Sequence, residues 1–350
     1  MRRALLVLVV CAVLVVAGAV TLARPWAPDR TEHLVAAAWL PVWDERAPAA
    51  LARAVDEGGV AEVSPTWATL RPDGTLAVDA PPQEVLDRLD SGDVRVIPAV
   101  QNFADGTWQG DAVARLLADP VASADHRREL VEVALENEWD GVDIDYEGLP
   151  ALAGPDFTAF LQALRDDLHE HGLLLSVAVP ARDRDETSYA LAYGYQAIGR
   201  IADQVRVMTY DNAWSGSPPG PIAPTDWVRD VVEYAVERVP REKLMLGMAT
   251  YGYDWVGEDG SNLQHADAVA LAERVGAEPR WDDAAAAWTF DYVDQGGQHT
   301  VWYEDARSLE TKQDLAAAAG LRGIAIWQLG GEDPRLWAAV AEATGEGEGA

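Results

Sequence analysis

Trp139-Asp140-Gly141-Val142-Asp143-Ile144-Asp145-Tyr146-Glu147 sets three carboxylates, Asp143, Asp145 and Glu147, at alternate positions of a run whose other members are apolar. Alternation of period two is the signature of a strand, so the three acids share one face, and Val142, Ile144 and Tyr146 share the other. At about 3.3 Å of rise per residue, successive acids stand ~6–7 Å apart along the strand. An apolar opposite face needs cover, which places the strand inside a sheet rather than at a solvated edge. Burying three acids costs several kcal/mol unless protons or hydrogen bonds compensate, so packing alone would not select them. Crowded carboxylates raise one another's pKa, and the outermost, Glu147, is best placed to hand a proton to a substrate. A calcium loop would also show Asp143, Asp145, an acid at 147 and Gly148. Its twelfth position is Gly154 instead of Glu, and Ile144 and Tyr146 suit a strand. Asp140 has the opposite parity and is read as structural.

Outward from this run, short β-rich stretches alternate with amphipathic ones. The pattern predicts strands over 34–40, 60–67, 94–100, 141–147, 174–180, 204–210, 244–250 and 323–328. Helices are predicted over 45–57, 83–90, 123–137, 155–171, 187–202, 226–238 and 306–319. Strand–helix alternation implies parallel strands with right-handed crossovers, which an open doubly wound sheet and a closed (β/α)8 barrel both satisfy. Eight units, with no G-x-G-x-x-G after the first strand, favour an α/β fold of the TIM-barrel type spanning 33–344. One connection is too long: 256–305 holds a helix over 265–275 and a hairpin pattern around Asp294-Gln295-Gly296-Gly297. It reads as a small α+β insertion between strands seven and eight, on the face where barrel active sites are built.

The chain has 350 residues with 27 Lys+Arg against 58 Asp+Glu, a formal charge of −31. Nucleic acid is excluded as a partner, because phosphate neutralisation needs clustered cations. With 49% hydrophobic and 24% charged residues, the chain has the composition of a globular protein with a large core. Met1-Arg2-Arg3 precedes an apolar stretch from Ala4 to Val20 that runs on to Ala23. Residues 1–23 are read as a signal peptide or signal anchor, with Ala17-Gly18-Ala19 as a small-residue cleavage pattern. The rest is therefore expected to be secreted or anchored at the outer face of the cell membrane, touching the membrane only through that segment. Residues 345–350, Gly-Glu-Gly-Glu-Gly-Ala, read as a flexible tail. Cys11, the single cysteine, lies in the apolar stretch, so neither disulfides nor a cysteine zinc site are available. His265 and His299 lack metal-ligand spacing, and neither metal nor cofactor is expected.

D-G-x-D-x-D-x-E at the fourth strand resembles the signature of family 18 glycoside hydrolases, the chitinase-like barrels. Met208-Thr209-Tyr210-Asp211 resembles that family's M-x-Y-D motif, and Trp327 stands at the end of strand eight where the family keeps a tryptophan under the sugar. Tyr251-Gly252-Tyr253-Asp254-Trp255, His299 to Ser308 and Ile326-Trp327-Gln328-Leu329-Gly330 are similar to the bacterial branch that holds spore-cortex and cell-wall N-acetylglucosaminidases. The likeness covers about residues 34–338, and no cell-wall-binding repeat accompanies it. It implies hydrolysis of β-1,4 linkages in N-acetylglucosamine-containing polysaccharide, chitin or peptidoglycan, in which the substrate's own 2-acetamido oxygen attacks the anomeric carbon. Glu147 would then be the acid and later the base. Asp145 would orient the acetamido group, Asp143 would modulate the shared proton and Tyr210 would donate to the acetamido carbonyl. Trp327 would form the apolar floor, Met208 would line the sugar site, and Asp211 would make a polar contact to the sugar or to its neighbours.

Other residues carry two readings. Trp39, Trp43, Trp67, Tyr251 and Trp255 fall at or beyond C-terminal strand ends, so each either lines the cleft or packs in the core. Asn102, just after strand three, either bonds a sugar or caps a loop. Arg206 either points into the barrel and pairs with an acid or is turned outward by a bulge. A barrel that binds glycans without cleaving them is the alternative function, against which the presence of Glu147 with its Asp partners and Tyr210 counts. A membrane-tethered scaffold would account for the N-terminal segment and for none of the carboxylates.

Overall fold

The computed structural model describes residues 33–79, 82–91 and 94–345. The apolar segment 1–23 and residues 346–350 of the expected tail lie outside them. Eight parallel strands form the barrel: β1 (Val35–Leu40), β2 (Val60–Pro65), β3 (Arg95–Val96 with Ala99–Gln101), β4 (Gly141–Asp145), β5 (Leu174–Pro180), β6 (Gln204–Met208), β7 (Leu244–Ala249) and β8 (Gly323–Trp327). β8 pairs with both β1 and β7, so the ring runs continuously from β4 round to β2. β3 closes it in two pieces, because Pro98 has no N–H to give to the ladder. Its first piece pairs with β2 and its second with β4. Between them Ile97 N–H donates to Val63 O and Asp143 N–H donates to Pro98 O, both at 2.9 Å.

The outward strand faces, such as Val142 and Ile144 of β4, Val177 and Val179 of β5 and Ile324 and Ile326 of β8, pack against the helical layer in one continuous core. Each such side chain contributes about 1.5–3 kcal/mol when fully buried. The predicted helix over 123–137 is longer and has a neighbour: Gly110–Ala118 is followed directly by Pro120–Glu136. Pro120 ends the first helix and suits the first turn of the second, where Asp119 caps by accepting from Val121 N–H at 2.8 Å. The interior is different in kind. Ala37, Ala99, Ala178 and Ala325 pack with Trp39 and Met245, and these small residues leave room for polar side chains at the mouth and the base.

The insertion begins earlier than predicted. Tyr251–Val256 is already the second strand of a five-stranded antiparallel sheet, ordered 259–264, 251–256, 297–303, 287–294, 280–282. The helix His265–Val275 covers one face through Ala268, Leu271 and Ala272, against Phe290, Val301 and Tyr303. The other face presents Tyr251, Tyr253, Trp255 and Trp302 toward Tyr210 and Trp327, so it forms a wall of the barrel mouth. Among the described residues no helix is long and apolar enough to cross a membrane.

Candidate active site

The acid ladder runs inward to outward along β4. Asp143, fully buried, is deepest: its Oδ2 accepts from Trp39 Nε1–H at 2.9 Å and from the Arg206 guanidinium at 3.1 Å. Arg206 therefore points into the barrel. It also donates to Ser64 Oγ at 2.5 Å and to Glu62 at 3.4 Å, and lies 5.4 Å over the Trp39 ring. Glu62 is buried too and accepts from Gln204 at 2.8 Å and Arg322 at 3.1 Å. This buried network underlies the site, and Glu62 was not singled out from the sequence.

Asp145 comes next. Gln101 pairs with it in register and donates from Nε2 to Oδ2 at 2.8 Å, while the buried Oδ1 has no partner. Burial pushes the Asp145 carboxyl up to about 7; the bond from Gln101 opposes the rise and the charge of Asp143 adds to it. Glu147 lies beyond the last residue of β4 and is half-buried, recessed among protein atoms but open to the mouth. Its carboxyl is held well above the usual carboxylate range, first by desolvation, then by the charges of Asp145 and Asp211. Both causes favour the protonated form of Glu147. The run 141–154 is a central strand, a 3-10 turn and a helix start, which rules out the calcium-loop reading.

Tyr210 stands after β6. Gly247 on β7 makes room for it, since a Cβ there would lie 2.4 Å from Val207 O and 3.1 Å from the Tyr210 ring. The Tyr210 hydroxyl is held far above the usual phenol range by burial, then by Asp145, Glu147, Asp211 and Asp143, which places it in one field with the acids. Asp211 has a left-handed backbone, φ 58. Its Oδ1 accepts from Tyr251 Oη at 2.5 Å and Tyr253 Oη at 3.1 Å. Desolvation raises its carboxyl, and the two hydroxyls oppose this. Trp327 is partly exposed and meets Trp39 edge-on, with centroids 6.1 Å apart; Met208 is half-buried at the end of β6.

Several expected contacts take another form. Asn102 is fully buried, and its amide is spent on the main chain: Nδ2 donates to Glu147 O at 2.9 Å and Oδ1 accepts from Glu147 N–H at 2.8 Å. It is accordingly not a sugar contact. Trp67, 4% exposed, stacks on Trp139 at 6.1 Å in the layer beneath the helices and does not line the cleft. Trp39 gives its indole to Asp143 and Tyr251 its hydroxyl to Asp211, so each acts through an acid. Trp255 is buried, whereas Trp43 is 62% exposed. Asp140 accepts from Val96 N–H at 2.8 Å, the structural role its parity indicated. His299 lies between Asp254 (2.8 Å) and Asp294 (3.0 Å) in the insertion.

The sequence profile of glycosyl hydrolases family 18 matches residues 99–332. The chain belongs to family 18. Its acid ladder, Tyr210 and Trp327 all lie inside the matched span. The fold is similar to that of a chitinase from Chromobacterium violaceum (TM-score 0.82, 32% identity, 89% of this chain and 98% of that one). It is also similar to the spore cortex-lytic enzyme of Bacillus megaterium (TM-score 0.78, 29% identity, 89% and 73%). In sequence the chain is 31% identical to a cortical fragment-lytic enzyme of Bacillus subtilis, over 77% of this chain and 64% of that protein. The chain thus spans under two thirds of the length of that family 18 relative. Family membership makes the chain a family 18 glycosyl hydrolase, similar to chitinases and cortex-lytic enzymes.

Proposed function

We propose that this family 18 enzyme is exported and cleaves β-1,4 linkages in chitin or peptidoglycan by substrate-assisted catalysis with retention. One observation carries the mechanism: each carboxylate near Glu147 is already hydrogen-bonded, and Asp143, although its Oδ1 has no partner, lies fully buried two residues deeper than Asp145. Asp143 is bound by Arg206 and Trp39, and Asp211 by Tyr251 and Tyr253. Asp145 accepts from Gln101 on Oδ2 and keeps Oδ1 without a partner, which leaves that oxygen to hold an acetamido N–H. The nucleophile is then the acetamido oxygen of the sugar in the subsite before the scissile bond. Glu147 gives its proton to the leaving oxygen, and the exocyclic C–O bond breaks as the acetamido oxygen bonds to the anomeric carbon. Asp145 and Tyr210 hold the acetamido group, and Trp327 supports the sugar face. Glu147, now a carboxylate, takes a proton from the water that opens the oxazolinium ring, and two inversions leave the configuration retained.

The test incubates the purified chain with chitin oligosaccharides and with peptidoglycan and reads the products by mass spectrometry. New reducing ends at N-acetylglucosamine are expected from at least one, and cleavage of neither overturns the reading. Export rests on the apolar run at residues 4–23 behind Arg2 and Arg3. A reporter fused after Ala350 should be active outside the cytoplasm, and activity confined to the cytoplasm refutes export.

A further inference from the structure

We propose that Asn102 is a positioning residue that sets where the carboxyl of Glu147 stands, without touching sugar; this rests on the reading of Glu147 as the proton donor. The backbone ladder between β3 and β4 runs Ala99 to Asp143, Val100 to Ile144 and Gln101 to Asp145, and there both strands end. Glu147 lies two residues further, where no main-chain rung reaches it. Asn102 supplies the missing rung from its side chain. Its carboxamide offers a donor and an acceptor in the same spacing as a peptide group, and both meet the Glu147 main chain, at 2.9 and 2.8 Å. Only one orientation of the amide pairs donor with acceptor at both ends, so the two bonds fix its rotamer as well.

The surroundings leave this clamp little freedom. Asn102 is fully buried. The residue after Glu147, Gly148, has φ 70, and its carbonyl lies so close to Gly110 that a Cβ on Gly110 would sit 1.9 Å from it. On the other side Tyr193 Oη donates to Tyr146 O at 2.7 Å. These contacts hold the neighbours of Glu147, and Asn102 holds Glu147 itself. The geometry of a general acid matters steeply, since a misplacement of about 1 Å can cost 10²-fold in rate.

A positioning role has a signature that a merely structural one lacks. Protonation of the leaving oxygen matters for a sugar alcohol and hardly at all for an acidic nitrophenol. The experiment compares kcat/KM for chitotriose with that for the 2,4-dinitrophenyl glycoside of di-N-acetylchitobiose, in wild type, Asn102→Ala and Glu147→Gln. Asn102→Ala should lose about 10²-fold on the oligosaccharide and less than about threefold on the nitrophenyl glycoside. Chitotriose affinity, measured by calorimetry in the doubly inactive Asn102→Ala/Glu147→Gln chain against Glu147→Gln alone, should change less than about twofold. Glu147→Gln should show the same leaving-group contrast, more steeply. Equal losses on both substrates in Asn102→Ala, or a loss confined to affinity, overturn the proposal while leaving Glu147 its role. No leaving-group contrast in Glu147→Gln refutes the role of Glu147 instead. Where Asn102→Ala does not fold, Asn102→Ser, which leaves a hydroxyl and room for a water, carries the same comparison.

Discussion

Arg206 on β6 reaches across the barrel to Asp143 on β4, 3.1 Å from guanidinium nitrogen to Oδ2, and both side chains are without solvent contact. The deepest acid of the ladder is thereby tied to a cation that Glu62 also holds. Removing one partner of such a network leaves charge buried and uncompensated. Arg206→Met should therefore lower unfolding free energy by about 3–5 kcal/mol, measured by denaturant titration. Arg206→Met with Glu62→Met should cost less than the sum of the two single changes. Additive losses would show that the pair is not energetically linked.

Glu147→Gln keeps the shape of the side chain and removes the transferable proton. Turnover of oligosaccharide should fall by about 10²–10⁴-fold with binding nearly unchanged. Activity within about threefold of wild type is incompatible with its role.

Asp145 gives a pH signature in stability. Its folded carboxyl titrates near 7 against an ordinary 3.8, so its protonation favours the fold fully below 3.8 and that contribution is lost as pH rises through about 7. Asp145→Asn removes the titration. Between pH 4 and pH 8 the denaturation midpoint of wild type should drop more steeply than that of the variant. Parallel curves would mean that Asp145 ionises in the fold as it does in the unfolded chain.

Substrate assistance has a stereochemical consequence. An NMR time course on a β-linked substrate should show the β-anomer first, and a sugar with a free amine in the subsite before the scissile bond should react far more slowly while still binding. A thiazoline analogue of the intermediate should inhibit. First appearance of the α-anomer, or equal rates on acetylated and deacetylated sugars, contradicts the mechanism.

The barrel and the acid ladder were legible because both rest on local periodicity: β4 alternates strictly, and short β-rich runs alternate with amphipathic helical ones along the chain. What escaped depends on distant partners. Glu62 is one acid in Val60-Ala61-Glu62-Val63-Ser64-Pro65, and its partners Gln204 and Arg322 are 142 and 260 residues away. Gln101 has the parity to meet Asp145, but that meeting requires the register between β3 and β4 to be known. Asn102 carried two readings, a sugar contact or a loop cap, and its bonds to the Glu147 main chain could not be foreseen, since nothing in a sequence says that a ladder stops two residues short of Glu147. The early start of the insertion was hidden for a simpler reason. β7 ends at Ala249 and the next strand begins at Tyr251, so Thr250 alone separates two sheets, with no Gly or Pro to mark the change.

That abrupt passage bears on how this enzyme can be re-engineered. The strand that opens the insertion carries Tyr251 and Tyr253, whose hydroxyls are both spent on Asp211 at the barrel rim. The insertion and the barrel therefore share one hydrogen-bonded unit, and the natural seam between them does not coincide with the end of β7. A chimera that exchanges the insertion for a relative's must keep the graft point beyond Tyr253, or it imports a foreign wall and orphans a carboxylate in the same cut.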